Sequence, residues 1–353
     1  MRILIDARPL VDPLQGGVTR VARGVIKAFL KTTTDEVILA TTGSKNPDLT
    51  EFESATVRHV HLRLPNKLWS ALTTIGIASL DRAIEKRVGK IDVVFLPNLG
   101  FAGALRRPYV LLIHDLSFLI EPQWFNRKGR WWHKAVHAKR LMTHATRILA
   151  VSQTTKRDVV QLLNIPGERI DVIAMGTTLP VPAGQTDLST SLEMTKGRYV
   201  LALGWNDVRK NARTADRAVT ILNQDPQFAD VRCVIVGRDV IKPSDSELAA
   251  LYANAAAFLY PSWYEGYGLP LWEAASYGTP CIASTAGSLP ETAPPSTRFA
   301  DPTKPHHWTE VLRSVISDTT ETKIQHNRKI EFEMAKDWTD AAKTLSVAIS
   351  RCH

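Results

Sequence analysis

Arg209 and Lys210 stand side by side in LGWNDVRKN, after the apolar run RYVLALG, and Glu265 and Glu273 lie eight positions apart in YPSWYEGYGLPLWEAASYGTP. A guanidinium fork beside a compact ammonium at a strand end suits phosphate oxygens, although a surface Arg-Lys pair read alone is simply solvated. Between the two glutamates, Gly266 and Gly268 carry no Cβ, so the backbone there can come close to a ligand. Pro270 fits the first position of a helix and Gly278 its left-handed stop. The amides around Tyr267, Gly268 and Leu269 then open a helix start, which is a ready site for a diphosphate. Glu273, read into the first helical turn, has two acceptor oxygens that match the two donors of a ribose diol. Taken alone, it reads equally as a residue answering the helix dipole. Glu265 can accept hydroxyls from a sugar beyond the phosphates, or it is a solvated loop carboxylate.

These residues need strands and helices to hold them. RILIDA, EVILATT, RHVHLRL, DVVFLPN, YVLLIHD, RILAVS and RIDVIAM read as buried strands, with a helix over Val18–Lys31 and helical patterns between many of the others. A second series has strands at RYVLALG, RCVIVG, AFLYPS and PCIAST, with helices near Thr214–Leu222, Ser246–Ala256 and Leu271–Tyr277. The chain closes with a helical pattern over Trp338–Ile349. Short apolar runs alternating with amphipathic helices predict mostly parallel sheets covered on both faces, an α/β fold. Residues 1–178 are expected to form one Rossmann-like domain, 179–197 a linker rich in Pro, Gly, Ser and Thr, and 198–335 a second such domain. Residues 336–353 are expected to return as a helix towards the first domain. Ligands of open α/β sheets bind beyond the carboxyl ends of the strands, where the residues above fall.

The chain has 353 residues, 44% hydrophobic and 22% charged, which fits two folded domains rather than a disordered or fibrous protein. A net charge of +9 favours anionic partners, but no nucleic-acid motif accompanies it, so nucleic acid is not expected. No run reaches the roughly 18–20 apolar residues that span a bilayer. The opening MRILIDARPL goes straight into a strand rather than a leader, so a cytoplasmic protein is expected. Cys233, Cys281 and Cys352 share no metal-ligand spacing and read as small buried hydrophobes, with no disulfide framework or zinc site.

The two glutamates around G-x-G-L-P resemble the E-x7-E motif of the family-4 retaining glycosyltransferases, which have the GT-B fold. The whole stretch SDSELAALYANAAAFLYPSWYEGYGLPLWEAASYGTPCIASTAGSLPE is similar to that family's C-terminal donor site, and LGWNDVRKN to the strand and loop ending in R-K-N. QGGVTRVARGV resembles its glycine-rich first loop, in which Gly16 and Gly17 would bring amides to the diphosphate from the opposite domain; read alone, the pair is a turn. YVLLIHDLSFLIEP is similar to the segment whose histidine contacts the transferred sugar, which implies that role for His114, next to Asp115; a lone histidine there is more often structural. The resemblance covers most of the chain and is weakest over residues 32–90. It departs in two places. Trp205 stands where some relatives carry a phosphate-binding arginine. Only Val240–Pro243 separate Asp239 from Ser244, where relatives have a further helix and strand that help hold the nucleobase, so a shortened second domain is expected.

The resemblance implies transfer of a hexose from a nucleotide-diphosphate sugar, with retention at the anomeric carbon. The acceptor would be a saccharide or lipid-linked saccharide of cell-surface polysaccharide or lipopolysaccharide assembly. HDLSFLIEP and VRKN look most like the mannosyltransferase branch, which points to GDP-mannose among GDP- and UDP-linked donors. Lys210, Arg209, Glu265 and His114 would carry the chemistry. The donor would be held by Gly16, Gly17, Arg209, Lys210, Glu265, Gly266, Tyr267, Gly268, Leu269 and Glu273. No D-x-D motif occurs, so neither a metal nor another cofactor is expected, and fixed cations would stabilise the leaving diphosphate. A non-catalytic sugar-nucleotide-binding or scaffolding subunit is the alternative. The basic, aromatic stretch FNRKGRWWHKAVHAKRL suggests contact of residues 127–140 with an acidic membrane; its other reading is a solvated helix with Trp131 and Trp132 packed inward.

Overall fold

The computed structural model describes residues 1–11, 16–177, 197–318 and 337–352. The expected linker at 179–197, apart from Gly197, lies outside the described residues, as does Asp12–Gln15 of the first glycine loop. The chain divides into two compact units, Met1–Gly176 with Lys336–His353, and Thr177–Ala335.

The first unit is built on seven parallel strands, ordered β3-β2-β1-β4-β5-β6-β7. They are β1 (Arg2–Asp6), β2 (Glu36–Thr42), β3 (Val57–Leu62), β4 (Val93–Leu96), β5 (Tyr109–Ile113), β6 (Arg147–Ala150) and β7 (Ile170–Val172). Their helices are α1 (Gly17–Thr32), α2 (Asn66–Thr74), α3 (Leu80–Val88), α4 (Ser117–Ile120), α5 (Arg127–Ala135), α6 (Ala138–His144) and α7 (Gln153–Leu163). The central strands are near-continuously apolar because both faces are buried; Ile3, Leu4 and Ile5 are inaccessible to solvent. Strand order reverses between β1 and β4, and such a reversal leaves a crevice at the carboxyl ends.

The second unit has five parallel strands, ordered β12-β11-β10-β8-β9. They are β8 (Tyr199–Leu203), β9 (Arg232–Val236), β10 (Ala257–Tyr260), β11 (Cys281–Ser284) and β12 (Arg298–Ala300), the last of which the sequence pattern did not single out. The helices are α8 (Ala212–Leu222), α9 (Asp245–Asn254), α10 (Leu269–Ser276), α11 (Leu289–Thr292) and α12 (Pro305–Asp318). As expected, no helix or strand intervenes between β9 and α9. A turn closed by a bridge from Val236 to Val240 leads directly to Ser244, which caps α9 in a capping box with Glu247. Here the order reverses between β8 and β10, the strands that precede the Arg-Lys pair and Glu265.

Two local expectations need correction. Pro270 is the second residue of α10, and Glu273 the fifth, so Glu273 is past the first turn and the helix dipole does not explain it. Trp131 and Trp132 do not both pack inward: Trp131 is 63% exposed, whereas Trp132 sits edge-on to Phe101 against the core.

The C-terminal helix α13 (Thr339–Ser350) lies on α1 within the first unit, and Trp338 at its start fills the space over two glycines. A Cβ on Gly24 would come within 2.2 Å of the Trp338 ring, and one on Gly176 within 2.9 Å. Alanine is the better helix former by about 1 kcal/mol, but overpacking a buried ring costs about 1–3 kcal/mol. Gly24→Ala should therefore lower the urea midpoint without changing the slope, with a net loss of about 1 kcal/mol or more. A raised midpoint would show that propensity outweighs the clash.

Candidate functional site

The switch point of the second sheet carries a buried ionic network. Glu265, 6% exposed, accepts from Lys210 Nζ at 2.7 Å on Oε1 and from Arg209 Nη1 at 3.0 Å on Oε2. Lys210 also donates to the Tyr260 hydroxyl at 2.6 Å, with its ammonium 4.9 Å from the centroid of that ring. Two of the three ammonium donors are thereby used inside the protein. Arg209 donates in addition to the Tyr264 carbonyl at 3.1 Å and pairs with Asp207 at 3.3 Å. The sequence assigns the cations to phosphate and Glu265 to sugar; the fold joins them into one unit.

The local backbone explains why these side chains stand there. β8 ends at Leu203, and Gly204 follows with φ +81°, a conformation that favours glycine. A Cβ on Gly204 would lie 2.6 Å from Lys210 Cγ, so this glycine clears the path of the lysine side chain. Asp207 caps the short turn Val208–Lys210 by accepting from the Arg209 amide at 3.0 Å. Asn211, left-handed at φ 52°, then donates to the carbonyls of Pro261 at 3.0 Å and Pro302 at 3.1 Å. The Trp263 amide donates to the Arg209 carbonyl at 2.8 Å, which tightens the same junction. Asn211 thus ties the loop after β8 to the loops after β10 and β12.

Glu265 is fixed from the other side by the loop before α11. Ser288 donates to the Glu265 carbonyl through its amide at 3.1 Å and its hydroxyl at 2.9 Å. Gly287, at φ +61°, passes so close that a Cβ would lie 2.8 Å from the Glu265 amide nitrogen. Gly204, Asn211, Tyr260, Gly287 and Ser288 were not singled out from the sequence. Asn211 and the GS pair before LPE stood inside stretches already noted, but their contacts are long-range.

Gly266 and Gly268 are both buried. Gly268 is the left-handed N-cap of α10 at φ 89°, and a Cβ there would meet Leu289 Cδ2 at 2.5 Å. Internal packing by itself already requires glycine there. Glu273, 2% exposed, accepts from the Tyr252 hydroxyl at 3.3 Å. Tyr267 is half-buried, and its carbonyl accepts from Thr292. Burial pushes its phenol up to about 12. Leu269 opens α10.

In the first unit, Gly16 is the N-cap of α1 and Gly17 its first residue; both are exposed, and a Cβ on either meets nothing within 4 Å. Among the described residues, no packing contact requires glycine at these two positions. His114 follows β5, and its Nε2 donates to the Pro97 carbonyl, after β4, at 2.9 Å. Burial lowers its pKa, against the opposing effects of that hydrogen bond and of Asp115. The ring is therefore neutral at pH 7, with Nδ1 as acceptor. Asp115 accepts from the Ser117 amide at 2.9 Å and hydroxyl at 2.5 Å, and so secures α4. Also after β1, Arg8 forks onto Asp6 at 2.7 and 2.6 Å, a buried pair that sequence reasoning passed over. No group of three or more His, Cys, Asp or Glu that could hold a metal occurs among the described residues.

The charge state of Glu265 has a direction. Burial alone would raise its pKa, but the fields of Arg209 and Lys210 and the Lys210 hydrogen bond outweigh that and hold it at about 2, below the ordinary 4.5. Burial, followed by Arg209, lowers the pKa of Lys210, while Glu265 acts to raise it. A carboxylate depressed in the folded state stabilises above its unfolded pKa, and that contribution is lost as pH falls from about 4.5 towards about 2. It is on the order of 3 kcal/mol. Glu265→Ala should cost about 3–5 kcal/mol at neutral pH, since two buried cations lose their partner, and the difference from wild type should shrink through that acid range. A pH-independent difference in urea denaturation would contradict the pairing.

Known proteins match this chain in sequence and in fold. The family described as Glycosyltransferase Family 4 matches residues 15–179, and Glycosyl transferases group 1 matches residues 238–343, together more than half of the chain. O-antigen chain mannosyltransferase B of Escherichia coli is 28% identical over 232 residues, 58% of this chain and 60% of that protein. MMP alpha-(1->4)-mannosyltransferase of Mycolicibacterium hassiacum is 27% identical over 252 residues, 62% and 60% of the two. The chain thus spans about three fifths of the length of these relatives. Sucrose-phosphate synthase from Thermosynechococcus elongatus matches in fold with a TM-score of 0.71 at 18% identity, covering 99% of this chain and 98% of that one. HepE of Anabaena, solved with UDP and glucose, matches with a TM-score of 0.70 at 17% identity, covering 99% of both. With two parallel sheets of GT-B type, an E-x7-E segment folded at a switch point and both family matches, the chain belongs to the family-4 glycosyltransferases.

Proposed function

We propose that the protein transfers a hexose, mannose in our reading, from a nucleotide-diphosphate sugar to a saccharide or lipid-linked saccharide in cell-surface polysaccharide assembly. The observation that carries this is the Arg209–Lys210–Glu265 network at the switch point of the second sheet. Relatives named as O-antigen mannosyltransferases support the sugar, and GDP-mannose is the donor this reading favours. The solved HepE complex with UDP-glucose supports a nucleotide sugar as the ligand class.

In this reading the anomeric carbon–phosphate oxygen bond breaks as the acceptor oxygen bonds to the same face of that carbon. The acceptor proton passes to the leaving phosphate, and the configuration is retained. Lys210 and Arg209 stabilise the charge that grows on the diphosphate, where preorganised donors in a dry site are most effective. Glu265 orients both cations and accepts a sugar hydroxyl; Glu273 serves the ribose diol. His114 offers Nδ1 to the transferred sugar, and the Gly16 and Gly17 amides serve the diphosphate. No metal takes part.

The protein works in the cytoplasm at the inner face of the membrane, touching acidic lipid through residues 127–140. Among the described residues no helix is long and apolar enough to cross a membrane. A second reading, a subunit that binds donor without turning it over, draws on the bare turn between β9 and α9, where relatives help hold the base.

Lys210→Ala separates the two readings. Leaving-group charge peaks in the transition state, so kcat should fall by about 100- to 1000-fold while donor affinity changes far less. Donor binding by the wild type with neither transfer nor hydrolysis across a panel of GDP- and UDP-sugars would favour the silent subunit. A product with inverted configuration by NMR, or turnover abolished by EDTA, would refute the retaining, metal-free course.

A further inference from the structure

Beside the carboxyl end of β5, on the first unit, the segment from α4 to α6 lines an open cavity of about 460 Å³, within the roughly 300–1,000 Å³ usual for small-ligand sites. Phe118, Leu119, Pro122 and Phe125 supply its apolar wall. Phe118 stacks on His133 at 4.2 Å between ring centroids, and Phe125 meets that ring edge-on at 5.1 Å, so the wall is a fixed aromatic corner.

The rim is of one sign. Arg130, Lys134, Lys139 and Arg140 are exposed and border the cavity, and among the described residues no Asp or Glu lines it. Their arrangement follows from the break between α5 and α6. His137 is left-handed at φ 54°, and its Nε2 meets the Thr74 carbonyl at 2.9 Å, while Thr74 donates to the Ala135 carbonyl at 3.0 Å. These bonds turn α6 away from α5 and bring the loop after α2 alongside. That loop presents Ile75, 66% exposed, at a neighbouring cavity that shares His137 and Arg140. Trp131, 63% exposed, stands on α5 itself. Large apolar side chains held in solvent beside a basic rim match a membrane interface, where aromatic rings sit at headgroup depth and cations meet phosphate.

We propose that this cavity takes one acyl chain of an anionic membrane phospholipid, with its phosphate held by Arg130, Lys134, Lys139 and Arg140. The inference rests on the membrane contact proposed above and makes it a single-lipid site rather than a diffuse electrostatic one. A diffuse contact needs only the charges; a lipid site needs the apolar corner as well.

The test uses the full chain, phosphatidylcholine vesicles with and without phosphatidylglycerol, and monomeric dihexanoylphosphatidylglycerol set against glycerol 3-phosphate. Wild type should float with the anionic vesicles only, and should bind the short-chain lipid but not glycerol phosphate. Arg130→Gln with Lys134→Gln should weaken both interactions about tenfold or more. Phe125→Asp, at a partly exposed position, should abolish short-chain lipid binding while the variant still unfolds cooperatively, its midpoint lowered by the lost contact with His133. Flotation that survives Phe125→Asp, with no binding of the monomeric lipid by wild type, would overturn the cavity and leave the surface contact standing. No flotation at all would overturn both, and binding of glycerol phosphate as tight as that of the lipid would reduce the site to a phosphate patch.

Discussion

The arrangement at the second switch point depends on a buried carboxylate holding two cations. Without Glu265, Arg209 and Lys210 would be two like charges with little solvent around them, and each would lose the partner that fixes it. With it, each side chain is set by a hydrogen bond shorter than or near 3 Å, and the cost of keeping charge out of water is offset by pairing. In the proposed reading, an incoming diphosphate would meet donors already oriented, with little reorganisation needed.

The fold supplies this geometry through glycines and one asparagine rather than through the charged residues themselves. Gly204 gives Lys210 its path, Gly287 lets a neighbouring loop reach the Glu265 backbone, and Asn211 ties three strand ends together. All three have positive φ. Their side chains or backbones act across 50 residues or more of sequence in the case of Asn211, and on the site itself in the case of Gly204. The parallel sheet makes this economical, because every strand delivers its loop to the same edge.

Much of this was legible beforehand. Alternating apolar runs located eleven of the strands, because a parallel strand buried on both faces leaves a pattern that no surface segment imitates. Strand β12, Arg298–Ala300 at the sheet edge, opens on an exposed arginine and has no apolar run to leave one. Arg209, Lys210 and Glu265 were legible as chemistry because each stands at the end of a strand, but their mutual pairing was not, since it joins segments 55 residues apart. The position of Glu273 differs from the expected one by a single residue, because the helix begins one residue before Pro270, and its burial depends on Tyr252 from α9. Trp131 and Trp132 share composition and neighbourhood; only the direction in which α5 faces the core separates them.

The most direct measurement is a crystal structure with an intact sugar nucleotide bound. The account predicts a phosphate oxygen within about 3 Å of Lys210 Nζ, with Glu265 still bridging the two cations. A diphosphate seated away from the carboxyl ends of β8 and β10, with that ammonium turned from it, would contradict the account.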